Sequence, residues 1–304
     1  MSVAAITVNW NRGALTLRCL DALRAGSQAC HAYVVDNAST DGSLELFATL
    51  PGDATVIRNK VNRGWAGGNN VGLRRALADG HEFIFVLNND AIVDPQTLEA
   101  LIEVYPQGAR DGILPVLGMP ERHSDGSYGF VTAVDEPETG VPYWLGRTET
   151  KLTEALSPTV YVHGAAMFAH RSVFESVGYF DERFFLCFDD TDWCFRAAKK
   201  GHPLLVARDA AIDHDGSATM GGFDSPLTIY FMTRNRLLFA EQHCAAKQRA
   251  ALAKTYEDYL RQIADKTGAR AIAFKTAVAD YSARRFGDCP AEMRAPVQRV
   301  TAGS

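Results

Sequence analysis

The chain has 304 residues, of which 47% are apolar and 22% are charged, as is usual for a soluble globular protein. The formal net charge of −5 argues against bulk binding to nucleic acid. Residues 1–240 carry 20 Lys/Arg and 29 Asp/Glu, whereas residues 241–304 carry 11 and 7. This basic C-terminal part is typical of a solvated helical face, and it also fits contact with an anionic membrane surface or a lipid-linked substrate.

The six cysteines are scattered without a CxxC pair, which favours free thiols in a reducing compartment. The apolar run at residues 3–8 has no basic segment before it and is too short for the core of a signal peptide. No apolar stretch approaches the roughly 20 residues that span a bilayer. The sequence therefore predicts a cytoplasmic protein that contacts the inner face of a membrane at most peripherally.

Short apolar runs alternate with helical patterns in the first part of the chain. The runs predict strands, and the polar periodic segments between them predict helices. The predicted strands cover residues 3–8, 32–35, 54–58 and 83–87, and the predicted helices cover about 15–25, 70–78 and the segment after Asp94. The β-α-β-α order predicts an α/β fold, in which a mostly parallel sheet has helices on both faces in a Rossmann-like arrangement.

The pattern changes after residue 112. Gly, Pro and polar residues predict hairpins and loops up to residue 158. A strand is expected at 160–169, helices at 171–177 and 191–200, and a strand at 204–208. Helical periodicity runs from 228 to about 285, and the last residues, from about 290, are expected to be disordered. We expect a catalytic domain over residues 1–240 and a helical appendage over 241–304.

Polar clusters follow three of the predicted strands, at residues 9–12, 36–41 and 88–90. Ligands of open parallel sheets bind at the carboxyl ends of the strands. Asp36 can accept hydrogen bonds from a ribose or a base, or it can cap a turn as Asp often does. The sequence therefore predicts a ligand site at this edge of the sheet.

A glycine-rich stretch, residues 62–70, precedes the predicted helix at 70–78. Glycine permits close approach of a ligand to the backbone, and a helix N-terminus attracts phosphate charge. The stretch matches neither the P-loop nor the dinucleotide-binding pattern.

Asp90 ends a buried apolar strand, where a carboxylate can hold a divalent cation beside a diphosphate. An oxygen-rich site favours Mg²⁺ or Mn²⁺, and the alternative is a polar turn. Three carboxylates, Asp189, Asp190 and Asp192, begin a predicted helix, which is more than a helix cap needs. One of them can be a general base for an acceptor hydroxyl. An isolated His is usually structural, but His214, between two Asp residues after the late strand, is a better candidate for a ligand.

Taken in order, these segments resemble family 2 inverting glycosyltransferases with the GT-A fold, in particular the rhamnosyltransferase-like branch. The resemblance covers residues 3–240 and rests on the following motifs: VNWN at 8–11, VVDNASTDGS at 34–43, NRGWAGGN at 62–69, LNND at 87–90, GAAM at 164–167, GYFDE at 178–182, FDDTD at 188–192, the His214 segment, and Tyr230 with Arg234 and Asn235.

The resemblance implies roles for individual residues. Asp190 would be the catalytic base, Asp90 and His214 would bind Mg²⁺ or Mn²⁺, and Asp36 would contact the nucleoside. The other expected contacts to the nucleotide sugar are Asn9, Asn11, Asn37, Arg63, Gly67, Gly68, Asn69, Asn88 and Asn89. Asp189, Asp192 and Trp193 would lie on the acceptor side. Two residues depart from the family pattern, since Asn88 stands where a first Asp is common and Asp189 replaces a Glu.

The implied reaction is a single inverting displacement from a nucleotide-diphosphate sugar to a glycan or lipid-linked acceptor. The expected donor is dTDP-rhamnose, followed by a UDP-sugar. Two alternatives stay open, a sugar nucleotidyltransferase and a non-catalytic sugar-nucleotide-binding protein. The loop at residues 9–13 is poor in the Arg and Lys that a triphosphate needs, and the presence of Asp90, Asp190 and His214 together argues against a binding protein. The helical tail can also mediate a homodimer.

Overall fold

The computed structural model describes residues 1–122, 152–214, 222, 224–264 and 266–294, together with the backbone of two short strands at 133–135 and 142–144. The strands are β1 Val3–Asn9, β2 His31–Asp36, β3 Ala54–Arg58, β4 Phe83–Leu87, β5 Ile92–Val93, β6 Val116–Gly118, β7 Glu121–Arg122, β8 Ala133–Asp135, β9 Pro142–Trp144, β10 Leu156–Pro158, β11 Ala166–His170, β12 Leu204–Ala207 and β13 Ile212–Asp213. The α-helices are α1 Gly13–Arg24, α2 Ser43–Phe47, α3 Gly64–Ala78, α4 Thr97–Val104, α5 Arg171–Val177, α6 Asp189–Lys199, α7 Pro226–His243, α8 Ala246–Gln262 and α9 Ala269–Ser282, and two 3₁₀ turns cover Tyr105–Gly108 and Ala291–Met293. None of these described helices combines the length and the apolar character that crossing a membrane requires.

Eight strands form the main sheet in the order β10-β12-β6-β11-β4-β1-β2-β3. The strands β3, β2, β1 and β4 are parallel, while β11 runs antiparallel to both β4 and β6. In the register of β1 with β2, Val8 lies opposite Val35 and Asn9 opposite Asp36. The first two predicted polar clusters therefore begin at the same height on one edge of the sheet.

Helices cover both faces of this sheet, because successive strand residues point to opposite sides. On one face, Val3 and Ala5 join a core with Leu20 of α1 and Leu98 of α4. On the other face, residues of β1 that alternate with these pack with α3, α5 and α6, and this core contains Ala4, Ile6, Leu73, Phe174 and Trp193. The predicted α/β fold with a mostly parallel sheet is confirmed.

Helix α3 lies unusually close to β1, because glycines face the strand. A Cβ atom at Gly72 would lie 2.4 Å from the Cγ2 of Ile6, and one at Gly68 would lie 2.7 Å from a methyl group of Val8. The helix begins at Gly64, whereas the sequence predicts a start at residue 70. Helix–sheet packing therefore accounts for part of the glycine-rich stretch.

A second, three-stranded sheet joins β5, β13 and β7. Ile212 of β13 pairs with Val93 on one side and with Glu121 on the other. The small sheet aligns β5, which Asp90 precedes, and β7, which carries Glu121, on either side of β13, which His214 follows. It thereby places Asp90, Glu121 and His214 in one region.

The described helices α7, α8 and α9 belong to a separate compact unit, which the contacts divide from the rest of the chain after residue 215. Its core contains Arg234, which is fully buried and donates a hydrogen bond to the carbonyl of Gly287 at 2.8 Å. The hydroxyl of Tyr230 donates to Asp280 at 2.6 Å, and Arg285 pairs with the same carboxylate. The predicted division into domains at residue 240 stays a prediction.

Most predicted elements are present within a few residues of their expected bounds. The clearest error is the strand expected at 160–169, since β11 begins only at Ala166. Before it, the backbone N–H groups of Val162 and Gly164 bond to side chains of α6 rather than to a neighbouring strand. Much of the region predicted as hairpins, and most of the tail predicted as disordered, lies outside the described residues.

We predict that Gly72→Ala destabilises the protein by about 1–3 kcal/mol, because the added methyl group overlaps the buried Ile6. The gain in helix propensity, about 1 kcal/mol, offsets only part of this cost. Urea unfolding measures the difference. Gly52→Ala is the control, since no atom lies within 4 Å of its new methyl group. Equal stability of the two variants would refute the close packing of α3 on β1.

Candidate active site

The polar residues at the ends of β1 and β2 hold one another. The Nδ2 atom of Asn9 donates to Asp36 at 3.0 Å and to Ser39 at 2.9 Å, and Asp36 also accepts from the backbone N–H of Ser39. Asp36 is fully buried. Its carboxylate therefore orders the loop that follows β2 in this conformation, and its contact with a nucleoside stays a prediction.

The same loop is connected to Asn11 and Asn37. The side-chain carbonyl of Asn11, a residue with φ of 54°, accepts from the backbone N–H of Thr40 at 2.7 Å. Asn37 is buried and donates to the carbonyl of Gly64 at 2.8 Å. These bonds connect the end of β2 to the start of α3.

A chain of hydrogen bonds leads from this cluster to the end of β4. The hydroxyl of Thr16 donates to Asn9, and Asn89 donates to Thr16, each at 2.9 Å. Asp36 and the segment 88–90 thus lie on the same edge of the sheet. This arrangement follows the prediction that ligand residues converge at the carboxyl ends of the strands.

The N-terminus of α3 already has an acceptor. The carbonyl of Phe185 accepts from the N–H of Trp65 at 2.7 Å and approaches that of Ala66 at 3.4 Å. A Cβ atom at Gly64 would lie 2.2 Å from this carbonyl oxygen, so the position requires glycine. The N–H groups at this helix N-terminus, which could otherwise bind a phosphate, therefore donate to a carbonyl of the protein itself.

The remaining predicted residues of the glycine-rich stretch are bound within the protein. Arg63 pairs with Glu182 at 2.8 Å, and the Nδ2 atom of Asn69 donates to the carbonyl of Trp65 at 3.0 Å. The buried carbonyl oxygen of the Asn69 side chain has no partner among the described residues. A Cβ atom at Gly67 would lie 2.8 Å from the Cβ of Arg63. Contacts of Arg63, Gly67, Gly68 and Asn69 with a nucleotide sugar stay predictions.

Gly164 lies between a residue that contacts the end of β4 and a residue at the start of α6. A Cβ atom at this glycine would lie 2.7 Å from the ring of Trp65 and 2.9 Å from the Oδ2 of Asp190. The indole N–H of Trp65 donates to the side chain of Asn88 at 2.8 Å. Asn88, Trp65, Gly164 and Asp190 therefore form one continuous group.

Asp190 is the most constrained carboxylate of this group. Its Oδ2 atom accepts from the N–H of Gly164 at 2.8 Å and from the hydroxyl of Tyr161. Its Oδ1 atom accepts from the N–H of Thr191 at 2.7 Å and from the Thr191 hydroxyl at 3.3 Å. These donors fix the orientation of the carboxylate. The residue as a whole is only 8% exposed.

The segment before α6 adopts strained backbone conformations. Phe185, Cys187 and Phe188 all have φ between 65° and 68°, a region that costs non-glycine residues free energy. The two phenylalanine side chains are buried, and the carbonyl of Phe185 caps α3. The buried side chains and the cap on α3 stabilise this conformation, which sets the position of Asp189 and Asp190 relative to α3.

The three acceptor-side candidates have different surroundings. Asp189 is buried, and its Oδ2 atom has no partner among the described residues. Asp192 pairs with Arg196 at 2.8 Å. Trp193 has no exposed surface and packs against Phe174 and Phe180, while its indole N–H donates to a backbone carbonyl. In this conformation Trp193 is a core residue, and an acceptor-side role for any of the three stays a prediction.

Asp90 and His214 lie together, as the sequence suggests for two metal ligands. The Nε2 atom of His214 lies 3.3 Å from the Oδ1 of Asp90, and its Nδ1 lies 2.8 Å from the Oε2 of Glu121. The other oxygen of Glu121 forms a close hydrogen bond with the Nδ1 of His163. Among the described residues, ligand atoms of Glu121, His163 and His214 all lie within 4.8 Å of one another.

The opposite charges of this cluster stabilise one another's charged forms. Burial alone would raise the pKa of Glu121, but the two imidazoles outweigh burial and lower it to about 2. Burial opposes a charge on His214, yet the hydrogen bonds to Asp90 and Glu121 raise its pKa to about 10. Burial also works against the charge on Asp90, and the bond to His214 outweighs it and lowers the pKa of Asp90.

The donor set of this cluster fits a divalent cation. Carboxylate oxygen and imidazole nitrogen are ligands that Mn²⁺ accepts, and Asp90 and His214 supply one of each at close range. The bond from the Nδ1 of His214 to Glu121 leaves the Nε2 turned toward Asp90. A carboxylate behind a ligating histidine is the usual outer partner in metal sites.

Three central residues, Tyr161, His163 and Glu121, are missing from the sequence-based prediction. Tyr161 and His163 fall where a regular strand is expected, and Glu121 falls in a region predicted as loops. The alternation of Tyr161 and His163 directly before Gly164 is a signal in the sequence. It places an aromatic hydroxyl and an imidazole at the end of a segment that leads into the core.

Comparison with known proteins agrees with this fold. A family model described as Glycosyl transferase family 2 matches residues 4–178. The match covers more than half of the chain, which therefore belongs to glycosyltransferase family 2 and is a glycosyltransferase. The predicted family is confirmed.

Two relatives illustrate the similarity. The low-salt glycan biosynthesis hexosyltransferase Agl10 of Haloferax volcanii is 27% identical over 210 residues, which cover 67% of this chain and 65% of that protein. The dTDP-rhamnosyl transferase RfbF of Shigella flexneri is 24% identical over 254 residues, which cover 80% and 81%. Rhamnosyltransferases are thus among the relatives, as the sequence motifs suggest.

Solved structures show the same fold at low sequence identity. Residues 1–349 of TarS from S. aureus, in complex with UDP-GlcNAc, match with a TM-score of 0.60 at 17% identity and cover 92% of this chain and 80% of that one. The mannosyltransferase PcManGT from Pyrobaculum calidifontis, in complex with GDP-Man and Mn²⁺, matches with a TM-score of 0.55 at 17% identity and covers 93% and 82%. The predicted GT-A fold is confirmed.

We predict that Asp189→Asn stabilises the protein at neutral pH. Burial, and then the charge of Asp190, raise the pKa of Asp189 well above its ordinary value of 3.8. Above that ordinary value the folded state keeps a proton that the unfolded state releases, so stability falls as pH rises. An amide mimics the protonated acid and removes this loss.

The measurement is the free energy of unfolding from about pH 4 to about pH 8. The stability gain of Asp189→Asn should grow with pH and approach zero at the acidic end. Asp21→Asn, at a side chain that is 74% exposed, is the control and should show no such trend. A gain that does not depend on pH would contradict the raised pKa.

Proposed function

We propose that this glycosyltransferase moves a sugar from a nucleotide-diphosphate donor to a hydroxyl group of a glycan or lipid-linked acceptor, with inversion at the anomeric carbon. One observation carries the proposal. The segment 161–164 bonds to Asp190 through Tyr161 and Gly164, and to the cluster around His214 through His163 and Glu121. A proton acceptor and a cation-type donor set are therefore held by one short piece of backbone.

Asp190 is the base in this proposal. Its carboxylate takes the proton of the acceptor hydroxyl, whose oxygen then forms a bond to the anomeric carbon. The bond between that carbon and the diphosphate oxygen breaks, and the nucleoside diphosphate leaves with the electron pair. Of the four hydrogen bonds that described residues donate to the Asp190 carboxylate, the one from the Thr191 hydroxyl, at 3.3 Å, is the longest, and the acceptor hydroxyl takes its place.

Asp90 and His214 would hold the divalent cation, Mn²⁺ or Mg²⁺. When bound, such a cation neutralises the charge that develops on the leaving diphosphate. Asn88 supplies no charge here, and its side-chain oxygen accepts from Trp65 instead. In this proposal Asn88 orders the site through its hydrogen bond with Trp65.

The donor assignment rests on relatives and on the shared edge of the sheet. A dTDP-rhamnosyl transferase is among the relatives, so dTDP-rhamnose is the first candidate and a UDP-sugar is the second. The nucleoside lies near Asp36, Asn9 and Asn11, at the ends of β1 and β2. Peripheral contact of the protein with an anionic membrane surface, or with a lipid-linked acceptor, is supported by the excess of positive charge in residues 241–304.

We predict that Asp190→Asn lowers kcat by roughly 10²–10⁴-fold, because the amide cannot take the acceptor proton. Donor affinity should stay close to that of the wild type, because shape and volume are kept. Release of nucleoside diphosphate measures kcat, and calorimetry measures affinity. Asp209→Asn, at a side chain that is 64% exposed, is the matched control. Unchanged kcat in Asp190→Asn would exclude Asp190 as the base.

We predict that Asp90→Ala weakens donor binding in the presence of Mn²⁺ by roughly tenfold or more, since a bound cation contributes several kcal/mol to contacts with phosphate oxygen. With EDTA present, donor affinity should be the same in the variant and the wild type. Asp94→Ala removes a carboxylate four residues away, which pairs with Arg122, and serves as the control. Equal affinities with Mn²⁺ would argue against a cation at Asp90.

A thermal-shift screen of nucleotide sugars selects the donor for both measurements, since a ligand of the native state raises its melting point. Turnover of the selected donor would distinguish the proposed transferase from a protein that only binds sugar nucleotides. Formation of a sugar nucleotide from a sugar phosphate and a nucleoside triphosphate would instead support the nucleotidyltransferase alternative.

A further inference from the structure

Glu121 is a buried carboxylate that contacts two histidines at once. The residue is 5% exposed, and each of its oxygens faces a different imidazole. Oε2 accepts from the Nδ1 of His214 at 2.8 Å, and Oε1 accepts from the Nδ1 of His163 in a close hydrogen bond. The two imidazole rings are 5.9 Å apart between their centroids.

The strand that carries Glu121 is paired with the strand before His214, and the segment that carries His163 is bonded to Asp190. Strand β7 pairs with β13, and the N–H of His214 donates to the carbonyl of Arg122 at 2.9 Å. His163 immediately precedes Gly164, whose N–H donates to Asp190. A side chain on β7 therefore reaches a residue beside the proposed cation and a residue beside the proposed base.

We infer that Glu121 is a positioning residue of the active site, which fixes the orientation of His214 and His163 through their Nδ1 atoms. The inference rests on the proposed function, because it takes Asp90 and His214 as the cation ligands. It goes beyond that function because it assigns a role to a residue outside the ligand set.

The distances favour an outer role for Glu121 over direct ligation. Each of its oxygens accepts from the Nδ1–H of one histidine, whereas the Nε2 of His214 is the atom that faces Asp90. A carboxylate that accepts from one ring nitrogen fixes the tautomer, so that the other nitrogen presents its lone pair to a cation. Loss of such an outer partner typically lowers metal affinity 10–100-fold.

The first test measures binding of Mn²⁺ alone to the full chain by calorimetry. Glu121→Gln should weaken binding about 10–100-fold, as for other outer-sphere carboxylates. Asp213→Asn is the matched control, because Asp213 is next to His214 in sequence but pairs with Arg122 and is 55% exposed. Unchanged affinity in Glu121→Gln, or an equal loss in Asp213→Asn, would overturn the inference.

The second test needs neither metal nor activity. In metal-free protein labelled with ¹⁵N-histidine, the Nδ1–H protons of His214 and His163 should give protected NMR signals. Glu121→Gln should lose at least one of these signals while Asp213→Asn retains both, and backbone spectra show whether the variants are folded. Signals that persist unchanged in Glu121→Gln would overturn the inference. If wild-type protein binds no Mn²⁺, the proposed cation fails, and these signals still decide whether Glu121 orients the histidines.

Discussion

The site depends on one short segment, residues 161–164, which is bonded on both sides to buried carboxylates. Tyr161 and Gly164 donate to Asp190, while His163 donates to Glu121. Each carboxylate would be costly to bury alone, because removal from water penalises its charge. The hydrogen bonds that each carboxylate accepts offset this cost. The backbone N–H groups of Val162 and Gly164 bond to Cys194 and Asp190 of α6, so they do not pair with a neighbouring strand.

The second constraint is steric and involves glycine at contact points between elements. Gly72 and Gly68 let α3 approach β1, and Gly164 lets Trp65 and Asp190 lie on either side of one Cα atom. These contacts set the distance between the sheet edge and the helix that carries Asp190. The chemistry of the site therefore relies on the absence of side chains as well as on charged groups.

Much of the fold follows from sequence, because the buried strands β2 and β4 are short apolar runs between clear turn signals. Asp90 and His214 are also recognisable, since each follows an apolar strand. The role of Glu121 is hidden, because its burial comes from pairing of β7 with β13, some 90 residues later. The start of α3 at Gly64 is hidden for the same kind of reason, because its cap is the carbonyl of Phe185, more than 100 residues away. Local patterns reveal elements and strand ends, whereas contacts made by distant residues appear only in the folded chain.

The cap that Phe185 provides has a consequence for how this protein can change over evolution. The carbonyl of Phe185 accepts from N–H groups at the start of α3, and only three residues separate Phe185 from Asp189 at the start of α6. Adding or deleting one residue between Phe185 and Asp189 would move Asp189 and Asp190 away from Gly164, or would remove the carbonyl that caps α3. This stretch should thus keep its length in any functional descendant, even where its side chains drift.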